Sequence, residues 1–332
     1  MMTRYGQIQI ANSEPFSQHP NGFGISPYLQ EKLVFLGQLE VYDQAAQVAR
    51  TLLGLPIGAS QIYRLTTYYG AAIEADLDQP VATDQLPAGL VYVQADGAMI
   101  LTDEGYKENK LARIFNATAL KQSPVADRGG RIESSLFTAH LGTATDFTTK
   151  FRPHLEGYKW PGADLVFISD GAIWLRQLMA AHYPQATMIL DLYHAMSYVG
   201  QIGMAAYRTR KSQDEWIEEQ RKLLLNSELS LVLTHIKALR IKVDLRDSVC
   251  HYLEANRDRM DYKGYQERGL LIGSGAIESA HRTVVQKRLK RSGQRWSLAG
   301  AQYVLNLRTC LMSQRWEIVR KHIEPFNYAM AA

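Results

Sequence analysis

Three carboxylates lie beside apolar segments whose composition is typical of buried structure. Asp96 ends the run LVYVQAD, Asp170 ends LVFISD, and Glu278 falls in the first turn of a helix predicted to begin at GSGAIESAHR. Open sheets place their sites outside the carboxyl ends of strands, so the two aspartates would meet at one edge if their strands are neighbours. A helix packed across that edge would bring Glu278 to them. Asp-Gly after a strand is also a common turn, which is the alternative for either aspartate alone.

The chemistry open to three such acids is that of hard cations. Oxygen donors without nearby cysteine select Mg²⁺ or Mn²⁺. Two ions held by Asp96, Asp170 and Glu278 would activate a water or a 3′ hydroxyl in an in-line displacement at a phosphodiester, and would stabilise the leaving oxygen. The sequence therefore predicts a site for two divalent cations.

A carboxylate and an imidazole follow the next apolar run. ATMILDLYH carries Asp191 and His194, and a strand this apolar rarely holds both groups without a reason. His194 could pair with Asp191 or position a scissile phosphate. A histidine satisfied at a strand-to-helix junction is the alternative.

Positive charge is concentrated near the C-terminus of a chain that is almost neutral overall. The chain has 37 Lys and Arg against 33 Asp and Glu, a net charge of +4. The segment from Leu271 to Lys321 alone carries ten basic and two acidic residues, so the remaining chain is acidic by −4. Such segregation is expected of a protein that binds phosphate backbones, although a solvated helix face gives the same pattern.

The elements that must position these residues divide the chain into five parts. Residues 1–26 are predicted to be an irregular lead-in and 27–87 an N-terminal helical region. In that region a glycine-containing turn separates two helices, the second predicted to begin after Ser60 and to end at Gly70. The pattern fits a helix-turn-helix that would read DNA through Gln61 and Arg64, or any other helical hairpin.

From residue 88 the hydrophobic period changes to that of strands, and we predict an α/β fold with a mixed sheet flanked by helices. GLVYVQADGAMILT predicts a strand, an Asp-Gly turn and a second strand, with further strands over 111–120, 132–142, 164–171 and 186–194. Residues 88–194 would form the first part of the core. Residues 195–268 predict a helical insertion, and 269–332 the C-terminal helices with the basic segment.

Several classes of protein are excluded by composition. The sequence has no apolar run of membrane-spanning length, its start is unlike a signal peptide, and its two cysteines, Cys250 and Cys310, cannot build a disulfide framework or a Cys-rich zinc finger. The expected compartment is the cytoplasm. In GLLIGSGAIESA, Glu278 replaces the third glycine of a dinucleotide fingerprint, and Ala172 stands where a haloacid-type phosphatase needs an aspartate.

Taken together, the strings ISDGAIWL, ILDLYHAMSYV and LIGSGAIESAHRTVVQKRLKRSGQRWS resemble the catalytic domain of DDE transposases. They are most similar to bacterial insertion-sequence transposases of the ISKra type, relatives of the Mutator and hAT groups. The resemblance implies an RNase H-like fold in which Asp96, Asp170 and Glu278 hold two Mg²⁺ or Mn²⁺ ions, with Asp191 and His194 matching an Asp-x-x-His element between the second and third acids. Members often carry a Cys-rich zinc segment before the helical region, and this chain has no such cysteine pairs.

The resemblance also implies a function and partners. Such a protein cuts double-stranded DNA at the ends of a mobile element and joins the 3′ ends to target DNA, acting as a dimer or larger assembly at the nucleoid. The basic residues after the third acid would grip DNA phosphates near the ions, and Arg282 could also pair with Glu278. The residues expected to do so are Arg282, Lys287, Arg288, Lys290, Arg291 and Arg295. An RNase H-like structure-specific endonuclease and a transposase-derived, non-catalytic DNA-binding protein are the alternatives.

Overall fold

The structure, a computed structural model, describes residues 25–80, 89–121, 130–158 and 164–323, together with Phe23 and two short strands. These strands, β1 (Met2–Thr3) and β2 (Gly6–Gln7), pair antiparallel. Most of the predicted lead-in therefore lies outside the described residues, as do residues 81–87 at the end of the predicted N-terminal region and residue 88 at the start of the predicted core. Within the described parts, no helix combines the length and apolar character needed to cross a membrane.

The N-terminal region is helical, as predicted. Its helices share a core with the C-terminal helices, in which Leu33, Leu65 and Tyr69 pack with Leu307 and Val319. The region is thus part of the same packed body as the end of the chain. The helices are α1 (Pro27–Leu39), α2 (Tyr42–Leu53), α3 (Ala59–Ala72) and α4 (Glu74–Leu77).

The predicted limits of α3 were wrong. The helix begins at Ala59, with Gly58 rather than Ser60 at the N-cap, and it continues past Gly70. Gly70 serves close packing instead of termination: a Cβ there would collide with the backbone carbonyl of Tyr303, and the Asn306 side-chain amide donates a 2.9 Å hydrogen bond to the Gly70 carbonyl.

The centre of the molecule is a five-stranded mixed sheet with the order β7-β4-β3-β8-β9. Neighbours β3, β4 and β7 pair antiparallel, whereas β8 runs parallel to β3 and β9 parallel to β8. The strands are β3 (Leu90–Thr102), β4 (Gly105–Asn116), β7 (Leu136–Leu141), β8 (Asp164–Ser169) and β9 (Thr187–Leu190), and β5 (Leu120–Lys121) and β6 (Arg131–Ile132) form a separate short ladder. The mixed sheet flanked by helices is confirmed.

The prediction that Asp96 ends a strand was wrong. Strand β3 runs unbroken through Asp96 and Gly97, with Asp96 paired to Leu111 of β4. The hairpin turn comes at residues 103–104, and Gly105, which follows the turn, adopts a φ of 90°. Gly97 provides space, because a Cβ at this position would collide with the side chain of Glu108 on β4.

Helices cover both faces of the sheet. Helices α5 (Ala144–Tyr158) and α6 (Ile173–His182) pack on the face that includes Val91, Val93 and Phe167. The opposite face carries Tyr92 and Ile168 and is covered by five helices, which confirms the predicted helical insertion. These are α7 (Leu192–Ala206), α8 (Arg210–Leu225), α9 (Leu229–Ala238), α10 (Val243–Ala255) and α11 (Tyr262–Glu267).

The C-terminal part crosses the sheet where β3 extends beyond β8. Helix α12 spans 275–289 as an α-helical start (Gly275–Ala280), a π-helical middle (His281–Gln286) and a last turn (Lys287–Leu289). Its apolar side packs on Ile100 and Leu111 of the β3–β4 hairpin. Helices α13 (Leu298–Met312) and α14 (Glu317–Ile323) complete this part of the described chain.

Candidate active site

A pocket of about 130 Å³ lies at the edge of the sheet where β8 and β9 end. The last β3–β8 pair joins Gln94 to Ile168, so Asp96 and Asp170, each two residues further on, lie level on neighbouring strands. The structure thus brings together all five side chains predicted for catalysis. The pocket is lined by Ala95, Asp96, Asp170, Asp191, His194, Ser274, Ile277 and Glu278.

Asp96 is the most strongly perturbed acid of the pocket. Its burial and the negative charge of Asp170 raise its pKa to about 6, although the Gly97 amide donates a 2.7 Å hydrogen bond to Oδ1. The other carboxylate oxygen, Oδ2, lies 3.4 Å from Nε2 of His281. Burial lowers the pKa of His281 to about 4, so this imidazole is neutral at pH 7. Sequence reasoning missed His281, whose three-residue spacing from Glu278 on one helix was the available signal.

Asp170 follows the last residue of β8 and both terminates the strand and lines the pocket. Its Oδ1 accepts a 3.0 Å hydrogen bond from the Ala172 amide, and Gly171 takes the positive φ of 98° that the turn requires. The Tyr252 hydroxyl, from α10 of the insertion, donates a 2.7 Å hydrogen bond to the Asp170 carbonyl. The Asp-Gly turn predicted as the alternative is thus present at Asp170, and the same side chain lines the pocket.

The sequence predicted Asp191 within a strand over 186–194. The structure instead ends β9 at Leu190 and places Asp191 at the start of a helix. Asp191 is the N-cap of α7, where Oδ1 accepts from the Tyr193 amide at 2.9 Å and Oδ2 accepts from the Ser274 hydroxyl. With only 3% of its surface exposed, Asp191 joins the start of α7 to the loop before α12. His194 lines the pocket, with its ring centroid 5.4 Å from that of Tyr198.

Glu278 reaches the pocket because two strands hold the start of α12. Buried Gln94 on β3 accepts a 2.9 Å hydrogen bond from the Ile277 amide and donates to the Gly273 carbonyl. Arg113 on β4 donates to the Ala276 carbonyl at 3.0 Å. Glu278 itself is exposed at the pocket. The π-helical segment begins three residues later, a rare feature that often occurs at functional sites.

The donor chemistry of the pocket fits a hard divalent cation. Asp96, Asp170 and Glu278 offer only carboxylate oxygens. Burial and the charge of Asp170 raise the pKa of Asp96, and a bound cation would relieve that repulsion. In the present arrangement, however, no three His, Cys, Asp or Glu side chains of the described residues are close enough together to hold a metal ion. The pocket therefore collects the predicted ligands at a spacing wider than direct coordination.

The predicted DNA contact of Arg288 is corrected by the structure. Arg288 is fully buried, with its guanidinium 4.8 Å from the ring centroids of both Tyr42 and Trp296, and its Nε donates to the Gly37 carbonyl at 3.0 Å. It joins α12 to the N-terminal helices. The charge count could not reveal which face of the helix Arg288 occupies.

Two further predicted contacts are engaged within the chain. Arg291 forms a 2.7 Å ion pair with Glu40, and Arg295 lies 3.5 Å from a carboxylate oxygen of Asp103 in the hairpin turn. Their positive charges are thus partly balanced by acids of the same molecule.

The remaining basic residues that were predicted to bind DNA are open to solvent. Arg282, Lys287 and Lys290 are exposed on and just after α12. Among the ion pairs of the described residues, Arg282 has none with Glu278, although it follows Glu278 by four residues. Gln61 and Arg64 are likewise exposed, on α3 of the N-terminal hairpin.

Fold and pocket together define a mixed α/β protein with an acidic pocket at the sheet edge, bordered by a helical insertion. The chain belongs to the family described as "Uncharacterised protein family (UPF0236)", which matches residues 24–320. It is also similar to the "UPF0236 protein in vanSb 3'region" of Streptococcus gallolyticus, with 24% identity over 311 residues that cover 91% of this chain and 67% of that protein.

Proposed function

We propose that this protein is a DNA transposase of an insertion sequence. It would cleave DNA at the element ends and transfer the 3′ hydroxyls to target DNA with the help of divalent cations. The observation that carries the proposal is the single pocket lined by Asp96, Asp170 and Glu278, the three acids that match the DDE motif in order and context. The resemblance of the motif strings to ISKra-type transposases supports the same function.

The chain's own residues would prepare the pocket for a phosphodiester. Asp96, Asp170 and Glu278 would hold two Mg²⁺ or Mn²⁺ ions, which activate the attacking oxygen and stabilise the leaving oxygen when bound. Backbone amides of Gly97 and Ala172 each donate a hydrogen bond to Oδ1 of the first two acids, so the second oxygen of each would be the one to bind an ion. The His194 ring at the pocket wall would orient a phosphate oxygen by a hydrogen bond.

DNA would approach along α12. Arg282, Lys287 and Lys290 are exposed and follow the third acid on the chain, so phosphates bound to them would lie next to the pocket. Three phosphate contacts give a slope of about −2.7 for log K against log salt, and each Lys→Ala change should reduce its magnitude by about 0.9. A slope near zero would contradict this assignment. Double-stranded DNA and a dimer or larger assembly at the nucleoid belong to the same proposal, because two element ends must be handled together.

The test is a cleavage assay on DNA that contains the gene with its native flanks. Wild-type protein should nick this plasmid with Mg²⁺ or Mn²⁺ and join the ends to a second plasmid. Glu278→Gln should abolish both steps while DNA binding, measured by gel shift, changes less than about threefold. The control is Glu317→Gln, which alters an exposed acid on α14 and should retain activity.

Three outcomes would contradict the proposal. Nicking by Glu278→Gln at the wild-type rate would remove the third acid from the site. Nicks without joined products would favour the structure-specific endonuclease. DNA binding without any cation-dependent cleavage by the wild type would favour the non-catalytic DNA-binding protein.

A further inference from the structure

An exposed aromatic ring stands at the rim of the acidic pocket. Tyr193 lies between the pocket residues Asp191 and His194, yet 64% of it is exposed, whereas Asp191 is only 3% exposed. Ile173, 73% exposed, opens α6 three residues after Asp170. Ile173 lies in the first turn of α6, which follows β8, and Tyr193 lies in the first turn of α7, which follows β9. Because β8 and β9 are parallel neighbours, two apolar groups face solvent at the edge where the acids meet.

The backbone of Tyr193 is held in place at the start of α7. Its backbone amide donates to Asp191 at 2.9 Å, and the amide before it, of Leu192, donates to the Ile272 carbonyl at 3.0 Å. The ring lies against Gly273, where a Cβ would come within 2.6 Å of Cε2 of Tyr193. A tyrosine on a held backbone has only two side-chain torsions to restrict, so it loses little conformational entropy when a flat ligand stacks on it.

The other aromatic rings near the pocket already have partners. Tyr198 and Tyr252 stack on each other with centroids 4.0 Å apart, and Tyr252 also holds the Asp170 carbonyl. Among the ring contacts of the described residues, Tyr193 takes part in none. Tyr193 therefore presents an exposed ring that lies against Gly273 and makes no ring contact within the described residues.

We propose that Tyr193, flanked by Ile173, forms a stacking site for an unpaired nucleobase next to the phosphodiester in the acidic pocket. This inference rests on the proposed function, which places a phosphodiester there. A phosphate has no flat face, whereas its neighbouring base has one, and a neutral ring stacks on any base. Bases inside a duplex are covered on both faces, so the ligand is a nucleotide at a frayed end or in a distorted duplex.

The experiment compares a forked DNA with a fully paired duplex of the same sequence, with 2-aminopurine at the first unpaired position. Binding is measured by fluorescence with the full chain in EDTA, so that no cleavage occurs. Wild type should prefer the fork and quench the 2-aminopurine. Tyr193→Leu should weaken fork binding by roughly fivefold to a hundredfold and leave duplex binding within about twofold. Tyr193→Phe should keep the preference.

Two further variants separate stacking from folding. Gly273→Ala would displace the ring without removing it and should lose the fork preference as well. Tyr28→Leu, at a tyrosine 73% exposed on α1, should bind like wild type. Thermal unfolding of each variant is recorded in parallel, and an exposed ring predicts an unchanged midpoint for Tyr193→Leu.

The inference is overturned if Tyr193→Leu keeps the wild-type fork preference and quenching, or if it loses fork and duplex binding equally. This failure is distinct from failure of the proposed function. Cation-dependent cleavage with a fork preference independent of Tyr193 would refute only the stacking site. A Tyr193-dependent preference without any cleavage would refute only the transposase.

Discussion

Replacing Asp96 by Asn should stabilise the cation-free protein at neutral pH while it abolishes DNA cleavage. Asp96 is partly buried and lies beside Asp170. Burial and the negative charge of Asp170 together raise the pKa of Asp96 to about 6. A raised pKa means that the folded state holds the charged form at a cost. Asparagine has nearly the same shape and carries no charge, so this cost disappears in the variant.

The magnitude follows from the pKa change. A shift from the ordinary value of 3.8 to about 6 corresponds to about 3 kcal/mol of lost stability at pH 7 and above. Because the Asp96 side chain is 34% exposed, solvent screening roughly halves this figure to about 1.5 kcal/mol. For a chain of this length that difference raises the melting temperature of the variant by about 2 °C.

The pH dependence has a definite sign. An acid whose pKa is raised by folding favours the native state below its ordinary pKa, and this advantage is lost as the pH rises through about 6. Wild type should therefore fall behind Asp96→Asn between pH 4 and pH 7, and the gap should stay constant above pH 7. At pH 4.5 the gap should be about a third of its value at pH 8.

The assay is thermal unfolding of both proteins in EDTA at pH 4.5, 6 and 8, repeated at pH 8 with Mg²⁺ or Mn²⁺. Added cation should stabilise the wild type, by about 1.4 kcal/mol at ten times Kd, and should have little effect on Asp96→Asn. Asp164→Asn, at the exposed start of β8, serves as control. If Asp96→Asn were less stable than wild type in EDTA at pH 8, the repulsion inferred between Asp96 and Asp170 would be refuted.

Two further predictions separate packing from binding. Arg288→Met should destabilise the protein by about 2–4 kcal/mol in chemical unfolding, because two ring contacts and a buried hydrogen bond are lost, whereas Lys287→Met should leave stability unchanged and weaken DNA binding. A stable Arg288→Met protein would contradict the burial. Gly70→Ala should destabilise the protein by more than about 2 kcal/mol, because the new Cβ collides with the Tyr303 backbone. Gly200→Ala, with open space around it, should leave stability unchanged or raise it slightly. Equal changes in stability for the two variants would refute the close approach at Gly70.

The two Asp-Gly pairs show what local sequence can and cannot predict. The pair at Asp170 is a turn at the end of a buried strand, as the continuous apolar run indicated. The pair at Asp96 lies inside a strand, because β4 pairs along the whole of β3 and the actual hairpin turn follows Thr102. Pairing with a distant segment decided the second case, and no local pattern reports it.

The basic segment shows the same limit of local sequence for the residues that were predicted to bind DNA. Its position after Glu278 could be predicted from charge, but the division into buried Arg288, paired Arg291 and exposed Lys287 depends on which helices pack on α12. The π-helical turn at His281–Gln286 also alters the spacing from which faces are assigned. Asp170 and Asp191 could be predicted because the parallel strands β8 and β9 end at one edge of the sheet. Asp96 reaches the same edge from inside β3, which strand ends alone do not predict.

The unequal length of neighbouring strands explains how the pocket arises. Strand β8 ends at Ser169, whereas β3 continues for several residues beyond the level of Asp96, and α12 crosses the part of β3 that β8 leaves uncovered. Strand β3 pairs with β4 both before and after Asp96, so this residue is held within a continuous ladder. Asp170, by contrast, begins a turn, and Glu278 is exposed on a helix. If the proposed function is right, the wide spacing of the acids must close through Asp170 and Glu278, since the rigid strand fixes Asp96. Cation binding should accordingly protect amides at the starts of α6 and α12 from hydrogen exchange and leave those of β3 unchanged.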